Sequence, residues 1–179
     1  MNTTQLILAI SGLFITVAGV VVPLIIGVYT LKKRFDWDKS ILASKLSDVW
    51  TEKTLEHRNV IEQKYGTYFV KSEPIKAPDC ALIAKAKKGE EYFAIKIAVI
   101  SLMNYFEDIA VLYSANMVDR NIIDRTLRRP VMRYYEKIIP LAKCFDDVAG
   151  YPSWKPLDDL IAKWKSEDEA ASAITPKRF

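Results

Sequence analysis

The sequence predicts an all-α protein, a single N-terminal transmembrane helix followed by a cytoplasmic helical bundle. Three observations carry this. Residues 6–31, "LILAISGLFITVAGVVVPLIIGVYTL", hold no charge, and the first charged side chain is Lys32. Beyond them, apolar residues recur at helical spacing. The breaks in that period fall where Gly and Pro cluster, as loops between helices require.

The first element is the uncharged run. About 20 apolar residues cross about 30 Å of hydrocarbon, so residues 6–31 are long enough to span with some tilt. A cleaved signal peptide would have a charged amino end and a shorter apolar core. Here the end is "MNTTQ", without Lys or Arg. Lys32, Lys33 and Arg34 follow at once, and positive residues stay on the cytoplasmic side and can meet lipid headgroups. Residues 1–5 are therefore expected outside and residues 32–179 in the cytoplasm. Gly12, Thr16, Gly19, Pro23 and Gly27 recur at steps of three and four. Such a stripe of small residues lets two membrane helices approach closely, so it predicts a homo-oligomer. The alternative is ordinary membrane-helix composition.

Residues 32–65 read as a stalk or first cytoplasmic helix, with Trp37, Ile41, Leu42, Val49, Trp50, Val60 and Ile61 mostly at helical spacing. Residues 66–89 carry Gly66, Pro74 and Pro78 and read as a loop, with a possible extended piece at 68–70. Residues 90–165 are the bundle. Glu90 and Glu91 suit the positive end of its central helix. Tyr92, Ile95, Val99, Met103, Phe106, Ile109 and Tyr113 form one stripe, thickened by Ile100, Leu102 and Val111. A helix apolar on most faces lies at the centre of a bundle. Asp119 is placed to cap a short helix that turns Ile122, Ile123 and Leu127 inward. Pro130 disfavours helix at Arg129 and opens the next helix. Pro156 opens a last one, with Leu157, Leu160, Ile161 and Trp164 inward. Residues 166–179 have little to bury and are expected to form a loose tail.

The run "SLMNYFEDIAVLYSANMVDRNIIDRTLRRPVMRYYEKIIPLA", followed by "PLDDLIAKW" and preceded by a membrane span, resembles domain-of-unknown-function family 4760. That family consists of small bacterial membrane-anchored helical proteins. The resemblance covers residues 90–165. It implies a bacterial inner-membrane location and an all-helical fold. It implies no activity, so it supplies no catalytic residues.

Composition narrows the chemistry. The net charge of +4 is small for residues 32–179, and nucleic-acid binding needs a denser basic face. Cys80 and Cys144 make neither a metal-ligand spacing nor a redox CxxC, which suits two reduced thiols. His57 is the only histidine and reads as a surface residue. No phosphate-binding, dinucleotide or nucleophile-elbow motif is present. No cofactor or metal is expected.

Glu107 and Asp108 sit together inside the apolar stripe. Adjacent helical residues point about 100° apart, so the two cannot share one site as a catalytic dyad must. Glu107 lies beside Met103 and Phe106, and a buried carboxylate wants a cation. Arg125, Arg129 and Arg133 are the expected donors, making Glu107 a buried polar anchor. The alternatives are a catalytic role or a ligand site. The same arginine segment and "AKAKKG" could meet anionic headgroups, a phosphate or an acidic protein. Against that stands a solvated face balanced by Asp119, Asp124 and Glu136, the preferred reading of Arg125 and Arg128.

These features point to a non-enzymatic adaptor, sensor or regulatory subunit at the membrane. Its expected partners are the lipid bilayer, a second copy and an unidentified cytoplasmic protein. The main rival is an oligomerising effector that perturbs the bilayer, for phage defence or superinfection control. An undetected enzyme and a plain structural anchor are the others.

Overall fold

A computed structural model describes the backbone of residues 3–66, 82–83, 85–149 and 154–174. Side chains are described for residues 21–66, 82–83, 85–143 and 154–173. The described elements are all helical: α1 (Thr3–Asp48), a π-helical turn (Val49–Lys53), α2 (Leu55–Tyr65), α3 (Phe93–Ser114), α4 (Arg120–Thr126), α5 (Arg128–Ala149) and α6 (Lys155–Ile174). The chain divides into two compact units, residues 1–39 and 40–179.

The first unit is the greater part of α1. Every described residue from Val21 to Asp38 is exposed. Leu24, Ile25, Ile26, Val28, Tyr29 and Leu31 are each about 60% exposed or more, on all sides of the helix. Pro23 lies within α1, and Thr30 Oγ1 donates to the Ile26 carbonyl at 2.8 Å. Among the described residues, no helix is long and apolar enough to cross a membrane. Residues 6–20 of the expected span lie outside those whose side chains are described.

The second unit is built around α3. Ile95, Val99, Met103, Phe106, Ile109 and Tyr113 are buried as the stripe predicts, and Ala98, Leu102, Tyr105 and Ala110 join them. Val111 is exposed instead, two residues from Ile109 and Tyr113 and so on the far face. Helix α3 packs against α2, α5 and α6, and α4 packs against α5. Helices α5 and α6 contribute Val131, Tyr134, Ile138 and Leu141, and Leu157, Leu160, Ile161 and Trp164.

Several boundaries differ from the sequence reading. Trp37 and Ile41 are exposed, so the inward face of the stalk begins at Leu42 and Ala43. Helix α3 starts at Phe93 rather than Glu90. Glu90 instead accepts from the Lys87 amide, and Glu91 pairs with Lys64 at 2.9 Å. Helix α5 starts at Arg128, two residues before Pro130. A proline in the first turn loses only an amide that has no intrahelical partner. Helix α6 runs to Ile174 and takes in most of the expected loose tail. An Arg128 clamp on Glu167 and Asp168 holds this extension, although its outer face buries nothing. The possible extended piece at 68–70 lies outside the described residues.

Candidate functional site

The polar chemistry of the second unit gathers at the π turn. A π turn replaces the i→i−4 bond by i→i−5, and here the Thr54 amide reaches the Val49 carbonyl at 3.0 Å. The Trp50 carbonyl then accepts from Thr54 Oγ1 at 2.7 Å and Arg58 Nη2 at 3.0 Å. One turn earlier, the Leu46 carbonyl accepts from Tyr105 Oη at 2.6 Å. The turn thus trades helical bonds for side-chain donors from α2 and α3.

The Trp50 indole is the centre of this region. It lies 6.3 Å from Tyr105 in a stacked pair, 5.9 Å from Phe106, and 5.2 Å from Tyr134 edge-on. The Arg58 guanidinium carbon sits 4.3 Å over the same ring. Tyr134 donates to Glu62, and Lys137, almost wholly buried, donates to the Gly66 carbonyl. Burial pushes the Tyr105 phenol far up and the Lys137 ammonium down, the latter opposed by the Glu62 charge. Each of these polar groups is spent on holding another element. The arrangement is a clamp between helices, with Tyr105 held as a neutral donor.

Lys137 was not singled out in the sequence. Its position three residues after buried Tyr134, beside Ile138, was the available signal.

Glu107 is half-buried, and its Oε2 is sealed from solvent without a hydrogen-bond partner. Burial raises its carboxyl above the usual range. The Leu157 amide at the start of α6 pulls the other way, and Asp158 and Asp108 add to the rise. Asp108 is exposed. Arg125, Arg129 and Arg133 are all exposed, and among the described residues none forms an ion pair with Glu107. The expected partnership is therefore corrected. Each arginine lies two residues after a buried apolar one, Ile123, Leu127 or Val131, which turns it to the opposite face. The amino end of α6 occupies the place assigned to an arginine. A carboxylate there meets the positive end of the helix dipole, but the Leu157 and Asp158 amides already bond the Trp154 carbonyl, and burial outweighs the attraction. Nearby, Trp154 takes φ 61°, donates its indole N–H to Asn104 at 3.0 Å, and offers its carbonyl to the Leu157 and Asp158 amides.

Arg128, in the same segment as Arg125, Arg129 and Arg133, does bridge helices. It pairs with Glu167 at 2.9 Å and Asp168 at 2.8 Å, and donates to the Trp164 carbonyl at 2.7 Å. An open cleft of about 520 Å³ beside it is lined by Asp124, Arg128, Arg129, Asp168, Ala171 and Ser172. Its charges are mixed, and Arg128 is already satisfied. Of its lining residues, Asp124 accepts from Tyr113 Oη, which lies 3.2 Å from both carboxylate oxygens. Asp119, expected as a cap, accepts from the Asn121 amide at 3.0 Å and from Ser40 at 3.1 Å.

The other candidates are scattered. Lys32, Lys33 and Arg34 are exposed on α1. Gly27 has open space where a Cβ would stand, while Gly12, Thr16 and Gly19 lie outside the residues whose side chains are described. Cys80 lies outside the described residues, and the side chain of Cys144 is likewise undescribed. His57 is half-buried, and no cluster of metal-ligating side chains occurs among the described residues.

A family model for a domain of unknown function, DUF4760, matches residues 17–164. The chain belongs to the DUF4760 family. The match extends the resemblance seen over residues 90–165 forward into the uncharged part of α1, so the matched region takes in part of each unit. No curated protein and no solved structure matches the chain.

Proposed function

We propose that this DUF4760 protein is a membrane-anchored helical adaptor, sensor or regulatory subunit. Residues 6–31 form a single span in a bacterial inner membrane, with the amino terminus outside and residues 40–179 in the cytoplasm. The observation that carries the reading is the environment of α1 from Val21 to Leu31. Its side chains are uncharged and exposed on every face. A helix apolar all round belongs in a core or in lipid. The basic Lys32, Lys33 and Arg34 that follow suit a cytoplasmic headgroup layer. Work through protein contacts fits the second unit, where the polar groups around Trp50 hold helices together.

The second reading, an oligomerising effector that perturbs the bilayer, draws on the small-residue stripe. Gly27 leaves an open notch on the helix surface. Crosslinking followed by affinity capture from native membranes separates the two. An adaptor yields a second protein and is harmless when overproduced. An effector yields multimers of itself and is toxic through the span alone. Gly19→Ile with Gly27→Ile should weaken self-crosslinking by crowding the stripe, and unchanged crosslinking would remove the case for a packed face.

A further inference from the structure

We propose that Phe35 and Trp37, together with Lys32, Lys33 and Arg34, form an interfacial anchor that binds anionic lipid headgroups and fixes the depth of α1. The proposal rests on the membrane reading above. Phe35 is 57% and Trp37 66% exposed, although both lie in a well-formed helix directly after the uncharged run. Trp50 and Trp164, by contrast, are buried, and Trp154 is half-buried. Among the described residues Trp37 has neither a ring nor a hydrogen-bond partner.

The faces of the helix say what can cover these rings. One turn before Trp37 stands Lys33, and one turn before that, Thr30. One turn before Phe35 stands Leu31, and one turn after it Lys39, whose Nζ lies 4.6 Å over the Phe35 ring. A seam against a second copy would bury Lys33 with Trp37, and a charge buried without a partner is costly. A headgroup layer takes both, since it accepts amphipathic rings and cations side by side. Asp36 and Asp38 reduce the local surplus, so residues 32–39 carry four basic and two acidic side chains. The three consecutive cations at 32–34 lie nearest the apolar run, where attraction to anionic lipid is strongest.

The distances agree. At about 1.5 Å rise per residue, Phe35 and Trp37 lie about 6 and 9 Å beyond Leu31 along the axis. The headgroup layer of one leaflet is about 5–8 Å deep. A modest tilt keeps both rings within it.

The test uses the full chain reconstituted in vesicles of phosphatidylcholine and phosphatidylglycerol. Some carry bromine near the glycerol end of the acyl chains and others near the methyl end. Subtracting the emission of Trp37→Phe isolates Trp37, and flotation reports whether the chain is bound. The anchor predicts loss of Trp37 emission with shallow bromine and less loss with deep bromine. It also predicts that Lys32→Gln, Lys33→Gln and Arg34→Gln together weaken the preference for phosphatidylglycerol. A chain that floats while Trp37 emits as in water overturns the anchor and leaves the span standing. Trp37 shielded from water yet unquenched at either depth assigns it to a protein contact and also overturns the anchor. A chain that does not float removes the span and the anchor together.

Discussion

Trp37 and Trp50 lie thirteen residues apart along the same stretch of chain and meet opposite environments. Trp37 is 66% exposed, with no partner among the described residues. Trp50 is 8% exposed, enclosed by three aromatic rings and a guanidinium. The surrounding sequences differ in the same way. Before Lys32 the helix is apolar on all faces. After Ser40 it is apolar on one face, and polar side chains such as Ser40 and Ser47 reach specific partners on α4. A one-sided helix completes a protein core, while one apolar all round is covered by a core or by lipid. The first unit is therefore read through its surroundings and the second through its contacts.

The largest test of this comparison is the tryptophan pair itself. Trp50→Ala should cost about 3–5 kcal/mol, as removal of a buried large aromatic does. Trp37→Ala should change unfolding by less than about 0.5 kcal/mol. Denaturant titration of the full chain in detergent micelles, followed by circular dichroism, checks both. Equal effects would break the division into two environments. Next comes Arg58→Ala, which strips one donor from the Trp50 carbonyl and the cation from its ring. A loss of about 1–3 kcal/mol is expected.

Arg128→Ala should follow at about 1 kcal/mol, since its ion pairs are partly exposed while its bond to the Trp164 carbonyl is more sheltered. Arg129→Ala should be within about 0.5 kcal/mol. Hydrogen exchange sharpens the contrast: loss of Arg128 should speed exchange in α6 after Lys165, and loss of Arg129 should not.

Glu107 gives a small effect with a definite sign. Burial raises its carboxyl in the folded protein. The folded state therefore binds the proton more tightly than the unfolded one. The stability linked to this group is fully present below the ordinary carboxylate range and is lost as pH rises through the elevated folded value. Glu107→Gln should remove that loss and raise stability at neutral pH by less than about 1 kcal/mol, while flattening the fall between acid and neutral pH. Parallel melts across that range are the measurement. A destabilised Gln variant at neutral pH would show that the charge on Glu107 is wanted, as an ion pair would require.

Much of the second unit was legible in the sequence because its signals are periodic. The stripe of α3, the Asp119 cap and the inward face of α6 follow from spacing and end chemistry alone. The length of α6 was not, because beyond Trp164 the helix buries nothing and its ties there are polar, such as the Arg128 pairs with Glu167 and Asp168. The π turn was equally hidden: one shifted hydrogen bond leaves no mark on composition, yet it sets the donors around Trp50. Glu107 was recognised as a residue that must find a partner. Charge alone points to the arginines, but direction excludes them. The buried positions Ile123, Leu127 and Val131 already turned Arg125, Arg129 and Arg133 outward.

The proposed membrane span is tested most directly by alkaline carbonate extraction of membranes from cells producing the full chain, with the extracted fractions probed at the carboxy terminus. The account predicts that the protein stays in the membrane pellet and that its carboxy terminus is digested by protease only after the inner membrane is opened. Release into the carbonate supernatant, or digestion of the carboxy terminus in spheroplasts with intact inner membranes, would contradict it.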